Sequence, residues 1–326
     1  VSRLDVKEGR PVLVPSIPEW HGSLDMINDL TGDEMGLLAA SNGGGFPEYH
    51  AASTDDIAQL IDDFASAAAR AQRAGFDGVE IHGAHGYLIS GFLSRQWNRR
   101  DDEYGGGIEN RSRLLCEVLT ACRARVGDDF ALWCRLDALE YRTPDGITFD
   151  DAQVTAELAV AAGADAIHLS AYGDMTSAGA FTEGTIPHVE ARHSALAGRL
   201  KSRVDVPVIA VGRISPETGD EMIAHGKADL IAMGRQMLAD PATARKLTEG
   251  RAADIRPCVY CYTCVAQPFF DRQVRCAVNP VVAHEAELAE VERSRAETPR
   301  RVVVIGGGPA GMEAARVAAT RGHDVT

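Results

Sequence analysis

The sequence lacks any apolar run approaching the ~20 residues that a membrane-spanning helix needs, and none of its 326 residues forms a long basic tract. Its 33 Lys and Arg stand against 47 Asp and Glu, a net charge of −14. That balance argues against nucleic acid or an anionic membrane as a main partner. Cysteine is scarce: seven residues are too few for a disulfide scaffold of this length. An initial Met is missing too, and the chain stops at GHDVT just as a strand begins. Both ends are therefore expected to be cuts in a longer protein, and the lack of a signal peptide says nothing.

What is present is ordinary: 45% hydrophobic and 25% charged residues, enough for a packed core. The expectation is a cytoplasmic protein acting on a small molecule, with a homo-oligomer left open. From about 55 to 250, helix and strand patterns alternate. Buried parallel strands are expected at 75–83, 130–137, 164–171, 206–214 and 228–235. Amphipathic helices lie between them, one beginning at Thr54 or Asp55 and ending at Gly75, others ending at Gly127 and Gly163. Repeated strand–helix units imply a parallel sheet. The strands end in His82, Arg135, His168, Arg213 and Arg235, and in a β/α barrel the active site sits at those ends. Five units are visible where a closed barrel has eight, so the fold expected is α/β, an incomplete (β/α)8 TIM barrel holding the last five units.

Four cysteines cluster late in the chain, Cys258, Cys261, Cys264 and Cys276, at C-x2-C-x2-C-x11-C. Zinc modules usually pair two knuckles. Three thiolates on one tight loop and a distant fourth suit a [4Fe–4S] cubane better. Structural zinc in a non-catalytic remnant is the competing reading. Cys116, Cys122 and Cys134 fall in apolar patterns and are expected in the core. Further on, strand 301–305 runs into Gly306-Gly307-Gly308-Pro309-Ala310-Gly311 and a helix. This G-x-G-x-x-G in strand–turn–helix context marks a Rossmann-like dinucleotide site. Gly306 makes the turn, Gly308 lets pyrophosphate approach, and Gly311 permits close packing. The domains expected are a partial barrel over 1–250, a cluster segment and polar linker over 251–299, and the start of an FAD- or NAD(P)-binding domain over 300–326.

HGAHGYLISGFLSRQWNRRDDEYGGGIENR, from His82 to Arg111, resembles the signature of the Old Yellow Enzyme flavoproteins. VGRI at 211–214, AMGR at 232–235 and ADP at 239–241 resemble their FMN-phosphate region. The order barrel, cluster, dinucleotide domain is similar to that of the 2,4-dienoyl-CoA reductase, 2-enoate reductase and trimethylamine dehydrogenase group. The resemblance implies that His82 and His85 hold a substrate carbonyl oxygen and that Tyr87 supplies a proton. It implies Arg135 at the flavin N1–O2 edge, Gly212, Arg213, Gly234 and Arg235 around the FMN phosphate, and the four cysteines as cluster ligands. His188, in a loop whose alignment is open, is a further candidate.

The chemistry suits these residue types. Negative charge grows on the carbonyl oxygen when hydride reaches the β-carbon of a conjugated alkene, and donors aimed at it lower the barrier. A phenol can protonate the α-carbon. Arginine stays charged beside an anionic reduced flavin. The function implied is reduction of the C=C bond of an α,β-unsaturated carbonyl compound with electrons from NAD(P)H through FAD, the cluster and FMN, the dinucleotide site holding FAD or an ADP moiety. The alternative is an amine dehydrogenase or N-demethylase running electrons outward.

Overall fold

The computed structural model describes residues 8–19, 30–41, 44, 48–173, 187–288 and 294–326. The chain divides between Met233 and Gly234 into two compact units. The first holds β1 (Val12–Val14), α1 (Gly32–Ser41), β2 (Tyr49–Ala51), α2 (Thr54–Arg73), β3 (Gly78–Gly83), α3 (Leu88–Leu93) and α4 (Ile108–Val126). It continues through β4 (Ala131–Tyr141), α5 (Phe149–Ala161), β5 (Ile167–Gly173), α6 (Ser194–Lys201), β6 (Val208–Val211), α7 (Pro216–Ala224) and β7 (Leu230–Ala232). Strands β3 to β7 form one five-stranded sheet in chain order, and every pairing in it is parallel. The five expected strands are therefore present. The short parallel pair β1–β2 was not foreseen, because three-residue strands carry too little pattern to read.

Helix boundaries follow local chemistry. Ser53 caps α2 in a reciprocal capping box with Asp56, and Thr148 does the same for α5 with Asp151, each satisfying amide groups that a helix start leaves bare. The sheet then sorts its two faces. Ile81, Cys134, Ile167 and Val208 are register partners across four strands, and all are buried. They join Leu115, Leu119, Ala156 and Leu200 from the helices in one core. The adjacent row is His82, Arg135, His168, Ile209 and Leu230. Side chains alternate along a strand, so this row and its neighbours Glu80, Trp133, Asp137 and Ser170 occupy the opposite, inner face.

One expectation needs correcting. The five polar strand-end residues do not share one level. His82, Arg135 and His168 do, but β4 runs on to Tyr141 and β5 to Gly173. Arg213 and Arg235 lie past the ends of β6 and β7. The longer strands persist because their polar residues find buried partners: Glu140 accepts from Ser94 Oγ at 2.5 Å and from the Ile147 amide at 2.8 Å. A register shift between Asp137 and Glu140 re-aims the strand there. Cys122 and Cys134 are core residues as expected, whereas Cys116 is only half-buried and borders a surface hollow lined by Ile61, Arg113 and Leu158.

Much of the signature segment is scaffold. Asn98 is buried and donates from Nδ2 to the carbonyls of Phe92 and Tyr104, both at 2.7 Å. Arg100 reaches the Pro15 and Ala52 carbonyls at 3.1 and 2.5 Å. Buried Arg111 pairs with Asp151 at 3.0 Å and donates to the Leu93 carbonyl.

The second unit holds α8 (Gly234–Ala239), α9 (Thr243–Thr248), α10 (Thr263–Ala266), β8 (Arg301–Val302), α11 (Pro309–Thr320) and β9 (Asp324–Val325). The expected strand 301–305 is only two residues long, paired in parallel with β9. Its continuation leaves Val303 and Ile305 exposed. The expected cluster segment and linker over 251–299 falls partly, at 289–293, outside the described residues. No described helix is long and apolar enough to cross a membrane.

Asn98→Ala removes both donors from two inward carbonyls and should cost about 1–3 kcal/mol. Urea unfolding of the variant beside the parent measures this; an unchanged midpoint would mean those carbonyls find other donors.

Candidate active site

The turn after β3 brings the motif residues together. His85 sits in the left-handed region at φ 63° and Gly86 follows at φ 67°. A buried anchor holds this unusual backbone: the His85 N–H donates to Asp137 Oδ2 at 2.6 Å. Ser90 Oγ also donates to Asp137, at 3.2 Å, and accepts from the Gly86 amide at 3.3 Å. Gly86 has a second reason to be glycine, since a Cβ there would meet the Tyr172 ring at 2.9 Å.

This folding places three rings in contact. His82 and His85 lie edge to face at 5.2 Å between centroids, and His82 and Tyr87 are 5.1 Å apart. Tyr87 stands at the N-cap just before α3 and is half-exposed, so its phenol can reach something entering from outside. His85 Nε2 is hydrogen-bonded to Ser170 Oγ at 2.7 Å. Burial, then the nearby charges of Arg135, His82 and His168, push the His85 pKa down to about 2. His82 is lowered as well, by burial first and Arg135 second. Both imidazoles are therefore neutral at working pH, each with one N–H to donate.

Arg135 stands beside His82 in register and is largely buried. Its single hydrogen bond among the described residues runs from Nη2 to Ser170 Oγ at 3.3 Å, and its Nε has no partner. His82 Nδ1 and His168 Nε2 are likewise buried without partners. Three neighbouring residues of one row thus turn unsatisfied nitrogens to the inner face. Unsatisfied buried groups of this kind are costly, and a polar ligand edge would relieve them. A flavin pyrimidine edge, which carries carbonyl and ring-nitrogen acceptors and an N–H donor, fits this mixed set, with Arg135 Nε as the donor. Glu80 Oε2 accepts from His168 Nδ1 at 2.7 Å and from Trp133 Nε1 at 2.6 Å.

The remaining candidates sit in their own surroundings. Gly212, at φ 125°, packs against His193, whose Cδ2 would lie 2.9 Å from a Cβ. Arg213 has φ 51° and donates to the His188 carbonyl, while His188 is exposed. Residues 174–186 of that loop lie outside the described residues. Gly234 and Arg235 open α8 in the second unit. Arg235 lies over the rings of Tyr260 and Tyr262 at 5.4 and 4.9 Å, a cation–π arrangement.

Both tyrosines interleave with the cysteines and have left-handed backbones, φ 52° and 58°. The Cys258 amide donates to Gln236 Oε1 at 2.9 Å. Hydrogen bonds from the Thr263 side chain and amide lower the Cys261 thiol. Burial raises Cys264, and Cys258, Cys276 and Cys261 are near enough to raise it further. The four sulfurs therefore share one neighbourhood, yet no three described His, Cys, Asp or Glu side chains close around a single-ion position. At the nucleotide motif, Gly306 has φ 112°, Gly307 and Gly308 have open space around them, and a Cβ at Gly311 would strike the Gly306 carbonyl.

Sequence reasoning missed Asp137, Ser170, Ser90 and Glu80. The signal available was slight: a charged residue in each of two strands otherwise fit for burial. Glu80 and Asp137 each stand where an apolar residue would be ordinary.

These features, five parallel strands with a polar inner face at the His-x-x-His turn, define an α/β barrel domain of a flavin-dependent oxidoreductase class. The chain belongs to the NADH:flavin oxidoreductase / NADH oxidase family, whose pattern matches residues 25–254. It is 40% identical over 279 residues to an NADH oxidase of Thermoanaerobacter brockii, covering 83% of this chain and 41% of that protein. It is 38% identical over 298 residues to a cinnamate reductase of Clostridium sporogenes, covering 84% of this chain and 43% of that protein. The solved histamine dehydrogenase of Rhizobium sp. 4-9 superposes with a TM-score of 0.79 at 31% identity, covering 97% of this chain and 43% of that one. The chain thus spans about two fifths of the length of the relatives it matches.

Asp137 gives a pH test. Burial, against the His85 amide, pushes its pKa up to about 8, far above the ~3.9 of an unfolded chain. The folded protein keeps a proton that the unfolded chain has released. Its contribution to stability is complete below pH ~4 and is lost as pH rises through about 8. Asp137→Asn, which needs no proton, should gain on the parent from pH 5 to pH 9, by at most ~1.4 kcal/mol per unit. Urea midpoints at both pH values measure it; a constant difference would mean Asp137 is ionised throughout.

Proposed function

We propose that the protein is an FMN-dependent reductase of the C=C bond in α,β-unsaturated carbonyl compounds, drawing on NAD(P)H. The observation that carries this reading is the His82–His85–Tyr87 group beside Arg135 on the inner face. FMN would be held by Arg135 at its pyrimidine edge. Gly212, Arg213, Gly234 and Arg235 are proposed for the phosphate. Bound FMN supplies the hydride.

The chain's own residues do the rest. His82 and His85, neutral by burial, donate N–H to the substrate carbonyl oxygen. They hold that oxygen more tightly as it gains negative charge, which is what accelerates the step. Tyr87 gives its proton to the α-carbon as the β-carbon takes the hydride. Asp137 and Ser170 position His85 for this work. A neutral imidazole pair suits an oxygen that becomes anionic.

In the second unit, Cys258, Cys261, Cys264 and Cys276 are proposed ligands of a [4Fe–4S] cluster. Zinc modules usually pair two knuckles, whereas three thiols on one tight loop and a fourth after eleven intervening residues, Cys276, favour a cluster. Gly306, Gly308 and Gly311 are proposed for the ADP part of FAD. A cluster and a dinucleotide site fit an enzyme fed by NAD(P)H. The domain limits that go with this reading are the barrel to about 250, the cluster segment to 299 and the nucleotide domain beyond.

Amine oxidation is the second reading, favoured by the likeness to the histamine dehydrogenase. Anaerobic mixing separates the two. Reduced flavin that a cinnamate-type acid or an enone reoxidises supports alkene reduction, while oxidised flavin bleached by an amine supports the other.

Two variants test the assignments. Tyr87→Phe should slow alkene reduction ~10²–10⁴-fold and leave flavin reduction by nicotinamide near normal in stopped-flow traces; equal losses in both half-reactions would make the residue structural. Cys261→Ser should strip iron and acid-labile sulfide from the full-length protein, and unchanged content would remove the cluster assignment.

A further inference from the structure

The inner face contains a pairing that the proposed reaction does not use. Glu80 Oε2 takes two donors, Trp133 Nε1 at 2.6 Å and His168 Nδ1 at 2.7 Å. A carboxylate only accepts, so the proton on His168 sits at Nδ1 in this contact. Glu80 is held from two strands at once, by Trp133 on β4 and His168 on β5. Arg135 stands between those two residues in the sheet: it is two positions along β4 from Trp133 and is the register partner of His168.

Arg135 has the carboxyl groups of Glu80 and Asp137 nearby, yet it makes no ion pair with either among the described residues. Its one hydrogen bond goes to Ser170 and its Nε is bare. Asp137, pushed up to about 8, holds a proton at neutral pH. Glu80 is lowered instead: burial works against it, but the His168 bond and charge, Trp133 and Arg135 outweigh burial. Of the two carboxyls, Glu80 is therefore the ionised one. An ionised carboxylate beside a guanidinium would ordinarily close to a direct pair. Here the Glu80 carboxylate is instead turned to Trp133 and His168 through Oε2.

We propose that His168 and Trp133 are positioning residues that tether Glu80 away from Arg135, so that the guanidinium keeps its charge and its open N–H for the bound flavin. Glu80 then acts as a distant counter-ion that makes the buried charge tolerable without cancelling it. This inference rests on the reading of Arg135 as the flavin-facing cation.

The tether makes predictions of opposite sign for residues that touch each other. His168→Leu frees Glu80 to close on Arg135, so the anionic reduced flavin loses support and the midpoint potential of bound FMN falls. Glu80→Gln keeps both hydrogen bonds to a neutral acceptor and removes the competing charge, so the potential rises. The double variant has nothing left to close on Arg135 and should recover the loss seen in His168→Leu alone. A tenfold change in the ratio of reduced to oxidised flavin is expected in each single variant, about 30 mV for a two-electron couple. Trp133→Phe removes only one tether and should lower the potential by less; it serves as the test where His168→Leu does not fold.

The experiment is a spectroelectrochemical titration of the FMN-loaded full-length protein and its variants, with FMN content measured in each. A fall for His168→Leu or Trp133→Phe, a rise for Glu80→Gln and recovery in the double variant support the tether. Shifts of one sign in all variants, or FMN retained with no shift, overturn it while leaving the flavin site intact. A parent protein that takes up no FMN overturns both this inference and the reading beneath it.

Discussion

A positive charge buried without a carboxylate in contact is the constraint on which the site depends. Taking a guanidinium out of water costs several kcal/mol unless partners replace the lost hydration. Arg135 meets that cost at a distance, through Glu80 and a half-satisfied hydrogen bond to Ser170. The same charge reaches outward. It keeps His85 and His82 neutral together with their burial, and it shares Ser170 with His85. Arg135, Ser170 and His85 thus form one chain from the proposed flavin edge to the proposed substrate oxygen.

Asp137 supports that chain from below. It holds the left-handed His85 backbone by one short amide contact and is itself braced by Ser90. Backbone strain of this sort persists only where the surroundings over-determine it. Here they do, and what the strain secures is the direction of a single imidazole. Arg111, Arg100 and Asn98 bind the following loop to distant carbonyls, so the turn rests on a stiff base.

The alternation of strand and helix was legible because one face of each strand is apolar throughout: Ile81, Cys134, Ile167 and Val208 announce burial by themselves. Strand ends were not. Arg135 and His168 look like terminators in sequence, yet Arg135 lies mid-strand and His168 near the start of β5. What lets β4 pass through Asp137 and Glu140 is a set of partners 46 to 52 residues away, Ser94, Ser90 and His85. No local period reports contacts of that separation. The His82–His85–Tyr87 group was readable because the three residues share one turn, while Ser170, 85 residues from His85, was not. In the second unit the cysteine spacing was plain, but the stacking of Arg235 on Tyr260 and Tyr262 followed from two left-handed residues that spacing does not betray.

A crystal structure of the FMN-loaded full-length protein soaked with an unreactive phenol, a mimic of the anionic carbonyl oxygen, tests the central claim most directly. The account predicts that Arg135 Nε gains a partner on the flavin and that the phenol oxygen lies within hydrogen-bond reach of both His82 and His85. Flavin bound elsewhere, with the His82–Arg135–His168 row still facing only protein, would contradict it.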